Sequence, residues 1–358
     1  RMKELTAKRA VPALPVAGSF RSIDFALSSM SNSHIQTVAV LTQYNARSLN
    51  EHLSSSKWWN FGRKQGGLFL FTPTVTADNS DWYMGTADAM YQNIDFLKRR
   101  HEPYVIISSG DCVYKLDFNR VLDFHIEKKS DITVVCKDMM YNDDVSRFGV
   151  VRMDDESRIT EFDEKPIEAL SNTISTGIYV IRRRQLIELL EAAAEENRFD
   201  FVNDILVRYK NVKKIYGYKI NSYWNNIADI DAYFKTNMDF LRPDVRSYFF
   251  REEPTICSKV DDLPPAKFNP GSDISNSLVS SGCIINGSVE DSVLFKQVFV
   301  GKNTTVKNCV ILNDVYIGDN VHLENCIVES RGTINPNTCY CGEDGVMIVK
   351  EKNVRYVI

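Results

Sequence analysis

The chain has 358 residues, of which 44% are hydrophobic and 25% are charged, and its formal net charge is −4. This length exceeds one ordinary core, so we expect two domains, and the composition excludes a disordered chain. No apolar run approaches the roughly 20 residues that span a bilayer, and the negative charge excludes nonspecific binding to nucleic acid.

The first residues, Arg1 to Glu4, lack the apolar region of a signal peptide, so we expect a cytoplasmic protein. The 8 cysteines are scattered along the chain. Cys339 and Cys341 form the one tight pair, but their spacing is wrong for a zinc knuckle and no second pair matches them. We interpret the cysteines as buried or incidental thiols.

Up to about residue 240, short β-rich runs alternate with longer amphipathic stretches, which is typical of βαβ units. Apolar spacing predicts packing helices within this part of the chain. The predicted strands are residues 37–41, 104–108 and 132–136, and the predicted helices are a segment ending near residue 53 and residues 118–129, 183–197 and 229–241.

The pattern changes between residues 254 and 270, where Pro264 and Pro265 favour an extended connector over a helix or a central strand. We place the domain boundary there. The predicted division is a first domain over residues 1–250, a connector over 251–270 and a second domain over 271–358.

A short repeat follows the connector. Similar aliphatic-polar segments align in steps of 17 residues, and two of them begin with an aliphatic-Gly-polar-Asn sequence. This hexapeptide-type pattern predicts a left-handed parallel β-helix with aliphatic side chains stacked inside. The aligned positions are Val289, Val306 and Leu323, with upstream partners six residues earlier at Cys283, Val300 and Ile317.

One carboxylate stands where open α/β sheets bind ligands. The predicted strand at residues 104–108 runs directly into Gly110 and Asp111, and ligands bind outside the carboxyl ends of such strands. Asp111 is therefore a candidate functional residue, although an Asp at this position can also simply cap the following turn. Asn226, in the segment after Trp224, could return to the same crevice.

Several segments in this order resemble the ADP-glucose pyrophosphorylases, which are glucose-1-phosphate adenylyltransferases. The resemblance extends over most of the chain and implies an α/β fold, with a Rossmann-like nucleotidyltransferase domain before the β-helix. The segments that carry it are residues 1–13, 20–25, 83–89, 110–114, 164–166, 175–179 and 263–268.

The resemblance implies that ATP and glucose 1-phosphate are ligands and that Mg²⁺ is held by oxygen ligands and substrate phosphates. Asp111 matches the first metal carboxylate and Lys165 matches the lysine that binds the sugar phosphate, although a Lys before Pro is often only solvated. The same resemblance assigns the other candidate residues. Glu164, Gly85, Thr86, Ala87, Asp88, Gly110, Ser175 and Gly177 are candidates for substrate binding, and Arg1 and Arg9 for the nucleotide phosphates. Independently of the resemblance, Arg21 is a candidate for binding a phosphorylated effector, because it is a basic residue near the expected interdomain cleft.

The Gly85–Asp88 segment is predicted to begin a helix and to offer backbone donors to a nucleotide or sugar. The family's glycine-rich loop, whose backbone amides hold the triphosphate, would lie immediately before Arg1.

The departures from the family pattern fall on the nucleotide and metal side. Catalytic members carry an Asp where this chain has Asn226, so the second metal carboxylate becomes a neutral amide. Val11 stands in place of a lysine and Met84 in place of an arginine, and Ser19 occurs where some members carry an activator-binding lysine. Lys165, on the sugar side, is retained.

This pattern resembles the D-type companion subunit that accompanies a catalytic C-type subunit in some Gram-positive bacteria. The leading hypothesis is a regulatory or weakly active subunit of a heteromeric ADP-glucose pyrophosphorylase, expected to be a heterotetramer with a C-type partner. One alternative is a competent adenylyltransferase in which Asp111 and substrate phosphates suffice for Mg²⁺. The other is a non-enzymatic sensor that binds a sugar phosphate through Lys165.

Overall fold

The computed structural model describes residues 2–62, 66–74, 82–140 and 143–350. Residues up to Phe250 form an α/β unit, and residues from Lys267 onward form a parallel β-helix. Within the described ranges, no helix is long and apolar enough to cross a membrane.

The helices of the α/β unit bury one face each. In α6, Leu186, Leu189, Leu190 and Ala193 are buried at helical spacing. The helices are α1 (Ser22–Asn32), α2 (Arg47–Leu53), α3 (Thr86–Tyr91), α4 (Ile94–Lys98), α5 (Phe118–Glu127), α6 (Arg183–Glu195), α7 (Ile230–Asp239) and α8 (Pro243–Phe250). Single helical turns occur at Lys3–Thr6, Val11–Ala13, Ser56–Trp59 and Val202–Val207.

In the described part of the α/β unit, the strands form one large sheet and three small ones. The strands are β1 (Pro15–Val16), β2 (Phe20–Arg21), β3 (Thr37–Leu41), β4 (Gly67–Phe71), β5 (Tyr104–Ser108), β6 (Cys112–Tyr114), β7 (Ile132–Asp138), β8 (Gly149–Met153), β9 (Ile159–Glu164), β10 (Thr173–Arg182), β11 (Ile215–Lys219) and β12 (Trp224–Asn226).

The large sheet has mixed strand directions. Its order is β11-β7-β10-β8-β9, and β5 also pairs with β10. Strand β11 is parallel to β7, whereas β10 is antiparallel to β5, β7 and β8. Separately, β3 pairs in parallel with β4, and β6 pairs antiparallel with β12. Because β10 runs antiparallel to β5, Ile178 in the middle of β10 lies opposite Ser108 at the carboxyl end of β5.

The sequence-based element predictions are confirmed at most positions. Strands β3 and β5 have the predicted bounds, and β7 extends two residues beyond its predicted end. Helices α5, α6 and α7 occupy the predicted segments and end two residues early. These segments have strong periodicity, which is why the sequence predicts them well.

Up to residue 350, the second part of the chain winds into three five-stranded parallel sheets. The first contains β13 (Lys267–Phe268), β16 (Ile284–Ile285), β19 (Phe299–Val300), β22 (Tyr316–Ile317) and β25 (Thr333–Ile334). The second contains β14 (Asp273–Ser275), β17 (Ser288–Glu290), β20 (Thr305–Lys307), β23 (His322–Glu324) and β26 (Cys339–Cys341). The third contains β15 (Leu278–Val279), β18 (Val293–Leu294), β21 (Val310–Ile311), β24 (Cys326–Val328) and β27 (Met347–Val349).

The predicted stacking of Val289, Val306 and Leu323 is confirmed by the strand register. The upstream alignment is wrong at Cys283, because Ile285 is the residue that pairs with Val300. The corner at residues 286–287 is two residues shorter than the corresponding corner at residues 301–304, and this shifts the first coil by two residues. Cys283 is buried at another corner, where its thiol donates to the Phe295 carbonyl.

The two parts of the chain share a hydrophobic core. One cluster of buried side chains includes Phe25, Phe240 and Phe249 from the α/β unit and Val310 and Ile327 from the β-helix. A second cluster fills the inside of the β-helix. Burial of apolar surface between the two parts stabilises one arrangement of the β-helix against the α/β unit.

Candidate functional site

A cleft of about 440 Å³ opens beside the end of β5. It is lined by the turn at Gly110 and Asp111, by Arg9 and Val11 from the N-terminal segment, and by Tyr44 from the loop after β3. The strand end predicted to bind a ligand therefore faces a concave surface, as expected for an open α/β sheet.

Gly110 makes the close approach at the base of the cleft possible. A Cβ atom at this position would lie 3.0 Å from Ile23 Cδ1 and 3.2 Å from Pro12 Cγ. The Gly110 carbonyl accepts a 2.9 Å hydrogen bond from Ser22 Oγ at the start of α1. Helix α1 thus holds the turn that presents Asp111.

Asp111 is half-buried at the cleft and has protein partners. Its Oδ1 atom accepts hydrogen bonds from Ser109 Oγ and, at 3.5 Å, from the Cys112 thiol. Its carbonyl accepts from the Ile227 backbone N–H at 2.9 Å. The last contact joins Asp111 to the segment that carries Asn226.

Asn226 lies opposite Cys112 in the antiparallel β6–β12 ladder, next to Asp111. Its Nδ2 donates to Cys112 Sγ at 3.5 Å, and its Oδ1 accepts from the Ala228 backbone N–H at 2.9 Å. Tertiary structure therefore brings together the two positions that the sequence suggested for metal binding. The second position supplies a neutral amide oxygen that already accepts a backbone hydrogen bond.

Cys112 is a contact that the sequence reasoning missed. The thiol lies between the Asn226 amide and the Asp111 carboxylate, and burial together with the Asp111 charge raises its pKa well above the usual value. It is therefore an uncharged hydrogen-bonding group at neutral pH. Its position directly after Asp111 was the available sequence signal, but the pairing with Asn226 depends on the strand register.

Gly177 places β10 beside the turn that carries Asp111. Its φ of +75° favours glycine, and it lies within an irregularity of the β10–β7 pairing between Ser175 and Tyr179. Its carbonyl accepts from the Ser109 backbone N–H at 3.1 Å, two residues before Asp111. Ser175 Oγ lies 3.3 Å from the Tyr179 hydroxyl.

Lys165 follows β9 with a φ of +51° and has a half-exposed side chain. Its Nζ pairs with Glu164 Oε1 at 2.7 Å. A pair this exposed contributes at most about 1 kcal/mol, so a phosphate dianion can compete for the ammonium group. Burial raises the pKa of the Tyr179 hydroxyl, and the nearby negative charge of Glu164 raises it further.

The predicted helix start at Gly85 is confirmed, since α3 begins at Thr86. The expectation of free backbone donors there is wrong for two of them. The N–H groups of Ala87 and Asp88 both donate to the Phe199 carbonyl, at 2.8 and 3.2 Å. The same carbonyl excludes a Cβ atom at Gly85, and Thr86 Oγ1 accepts from the Phe201 N–H at 2.9 Å. These polar groups therefore already have hydrogen-bond partners in the segment after α6, against which the start of α3 packs closely.

Met84, which stands in the place of an arginine, is exposed, and its backbone N–H donates to Asp88 Oδ2 at 2.7 Å. Asp88 Oδ2 also accepts from Gln92 Nε2 at 2.9 Å. The Asp88 carboxylate therefore holds the turn that precedes its own helix, and a role in substrate binding stays a prediction.

The basic candidate Arg9 lies where the α/β unit meets the β-helix. Arg9 lines the cleft, but its guanidinium pairs with Glu329 of the β-helix and also contacts Ser330 Oγ at 3.3 Å. The sequence reasoning missed Glu329, because no local signal shows which β-helix residue meets the N-terminal segment.

Arg21 Nη1 donates to the Ser48 carbonyl at 2.8 Å and to Ser48 Oγ at 3.0 Å. Burial lowers the pKa of its guanidinium from the usual value, and the nearby charge of Asp24 opposes this effect. Ser19 Oγ lies 3.5 Å from Ser280 Oγ of the β-helix. Arg1 lies outside the described residues.

Comparison with known families defines the class of protein. Residues 1–242 match the nucleotidyl transferase family, and residues 264–348 match the family described as "GlmU-like, C-terminal hexapeptide". A nucleotidyl transferase domain followed by a hexapeptide-repeat β-helix is the fold that the sequence predicted.

Whole-chain relatives narrow the class. A glucose-1-phosphate adenylyltransferase from Clostridium novyi is 38% identical over 309 residues, which cover 86% of this chain and 81% of the relative. A glucose-1-phosphate adenylyltransferase from Geobacillus stearothermophilus is 39% identical over 352 residues, which cover 98% of this chain and 91% of the relative. The chain belongs to the glucose-1-phosphate adenylyltransferase family, that is, the ADP-glucose pyrophosphorylases.

Proposed function

We propose that the chain is a regulatory or weakly active subunit of an ADP-glucose pyrophosphorylase in glycogen biosynthesis. The observation that carries this proposal is that the β6–β12 ladder sets Asn226 opposite Cys112, directly beside Asp111. Where catalytic members are expected to place two carboxylates, this chain has one carboxylate and one amide. The loss of one electrostatic partner typically slows chemistry about 100- to 1000-fold.

The donor set fits a weakly held Mg²⁺. Asp111 would supply the carboxylate, and substrate phosphates would complete the oxygen shell around the ion. When bound, Mg²⁺ would neutralise charge on the transferring phosphates. Positions 9 and 11 add little positive charge to this side of the cleft, because Val11 is apolar and Arg9 is paired with Glu329.

The competent adenylyltransferase is the second candidate, and the retention of Asp111 and Lys165 favours it. The two proposals differ in the turnover of the isolated chain. We would assay ADP-glucose formation from ATP, Mg²⁺ and glucose 1-phosphate with the chain alone and with a catalytic C-type subunit. Negligible turnover alone, with a changed rate or effector response in the mixture, supports the regulatory subunit. Robust turnover alone contradicts it.

Binding of the sugar phosphate should depend on Lys165. We expect Lys165→Gln to weaken glucose 1-phosphate binding by about tenfold or more, since one charge-assisted hydrogen bond contributes about 1.5–3 kcal/mol. Isothermal titration with glucose 1-phosphate would measure the change. Lys129→Gln is a matched control, because Lys129 is also an exposed lysine with a positive φ, of +49°. Equal affinity in the two variants would contradict the assignment of Lys165.

An exposed apolar stripe on the β-helix suits a partner subunit. Outward residues of the first sheet stack in register along the stripe at Ile284, Phe299 and Tyr316. The rings of Phe299 and Tyr316 stack at 4.8 Å, while Ile284 and Tyr316 remain 39% and 40% exposed. Exposed apolar patches of this kind mark protein interaction sites.

Tyr316→Glu should therefore weaken association with the C-type subunit, because a charge would be desolvated in the apolar contact. Size-exclusion chromatography of the mixed subunits would show a loss of the heteromeric peak. Lys302→Glu, a charge change on an exposed turn of the same β-helix, should leave the peak in place. Unchanged assembly of the Tyr316 variant would show that this stripe is not the contact.

A further inference from the structure

Four side chains with metal-ligating atoms occupy neighbouring positions on the outer face of the second β-helix sheet. His322 and Glu324 belong to β23, and Cys339 and Cys341 belong to β26. The register pairs His322 with Cys339 and Glu324 with Cys341. Since alternate side chains of a strand share a face, all four lie on the same face of the sheet.

The residues between them point the other way. Leu323 is fully buried and Tyr340 packs against the hydrophobic cluster inside the β-helix. The side chains of His322 and Glu324 are 42% and 39% exposed, and Cys339 is also exposed. An ion can therefore reach the cluster from solvent.

The ligand atoms already lie close together. His322 Nε2 is 3.5 Å from Glu324 Oε2, and Cys339 Sγ is 3.6 Å from Cys341 Sγ. One ligand atom from each of His322, Glu324 and Cys341 can be chosen so that all three lie within 4.8 Å of one another. Cys339 is not one of these three residues and joins them through the contact of its thiol with Cys341 Sγ.

These separations match the edges of a tetrahedral zinc site. With Zn–S bonds of about 2.3 Å and Zn–N and Zn–O bonds of about 2.0–2.2 Å, a tetrahedron has an S···S edge of about 3.8 Å and an N···O edge of about 3.4 Å. The observed sulfur–sulfur and nitrogen–oxygen distances are 3.6 and 3.5 Å. Two of the six edges of a zinc tetrahedron, one on each strand, therefore already have the required length.

We propose that the β-helix binds one Zn²⁺ ion through His322, Glu324, Cys339 and Cys341. Two sulfur ligands and an imidazole favour a borderline-soft cation over Mg²⁺ or Ca²⁺, which prefer oxygen. The nearest cation in the register, Lys307, pairs with Glu290 at 3.5 Å. Lys307 lies on the side of Glu324 away from Cys341, and its ammonium group is already paired with Glu290.

The ion would join consecutive coils near the end of the β-helix, because two ligands come from β23 and two from β26. Among the residues described up to 350, strand β26 is the last strand of its sheet. Zinc binding should therefore stabilise the C-terminal coil, since any ligand that binds only the folded state raises its stability. This site is separate from the cleft at Asp111 and does not rest on the proposed function.

The test uses the full chain, reduced and freed of metal by a chelator and dialysis. We expect Zn²⁺, titrated against a chromophoric chelator, to bind at one equivalent per chain and to raise Tm. Co²⁺ should give thiolate-to-metal charge-transfer absorption and the visible spectrum of a tetrahedral site, which does not require any variant to fold.

His322→Ala and Cys341→Ser should each weaken zinc binding by roughly 100-fold or more. This loss exceeds the roughly 10- to 100-fold typical of changing a residue that only hydrogen-bonds a metal ligand. The matched controls are His101→Ala and Cys257→Ser, which remove an exposed imidazole and an exposed thiol elsewhere. Equal weakening in the controls, zinc binding well below one equivalent, or a Co²⁺ spectrum without thiolate bands would overturn the proposal. So would a Cys339–Cys341 disulfide in freshly purified protein that contains no zinc.

Discussion

Replacing Asn226 by Asp and Val11 by Lys should raise the turnover of the isolated chain by about 100-fold. The expected size follows from the loss of one electrostatic partner, which typically slows the reaction about 100- to 1000-fold. Asn226 is joined to Asp111 through the Cys112 thiol and through the Ile227 N–H. An Asp side chain at position 226 keeps the acceptor for the Ala228 N–H and adds a charged oxygen for Mg²⁺.

The increase should come with a change in metal dependence. Two adjacent carboxylates repel each other without a cation and hold one together, so the Mg²⁺ concentration for half-maximal rate should fall. Initial rates of ADP-glucose formation across a Mg²⁺ series would measure both effects. Trp224 lies on the same strand as Asn226, so its fluorescence offers a readout of Mg²⁺ binding that does not depend on turnover.

Asn197→Asp is the matched control for the change at position 226, because it also replaces an Asn by an Asp, but at an exposed position outside the cleft. Its turnover and Mg²⁺ dependence should stay those of the unaltered chain. If the double variant folds, binds ATP and shows no increase in rate, then the residues at positions 11 and 226 are not the cause of weak activity.

Phe249→Ala should lower the free energy of unfolding by about 3–5 kcal/mol, the usual cost of truncating a buried Phe. Phe249 is fully buried and has ring contacts at 5.0–5.4 Å with Phe25, Tyr223, Phe240 and Tyr248. The cluster that contains Phe249 also includes residues of the β-helix. The variant should therefore destabilise both parts of the chain together.

Denaturant unfolding followed by tryptophan fluorescence and by far-ultraviolet circular dichroism would test this. The tryptophans report on the α/β unit, because Trp58, Trp59, Trp82 and Trp224 all precede the connector. We expect the two signals to shift to the same lower midpoint. Phe268→Ala, at a Phe that is 50% exposed, should cost far less. A shift in the fluorescence signal alone would mean that the shared core does not couple the two parts.

The amino-acid sequence by itself determined the local elements and the class of fold. Strong periodicity defined β3, β5 and α6, because side-chain spacing on one face is a local property of the chain. The 17-residue repeat indicated the β-helix for the same reason, since each coil stacks on its neighbour. The repeat failed at Cys283, where a shorter corner changes the register without changing the apolar pattern.

The sequence also singled out Asp111 and Asn226 as positions that matter, but only the tertiary structure decided what they contact. Strand register set Asn226 against Cys112, and close packing gave the Ala87 and Asp88 N–H groups to Phe199. Likewise, Arg9 contacts Glu329, which is far from it in the sequence, and His322 aligns with Cys339, which lies one coil further along the β-helix. Such contacts arise from how elements pack, which depends on the shape and burial of the whole core rather than on any local run of residues.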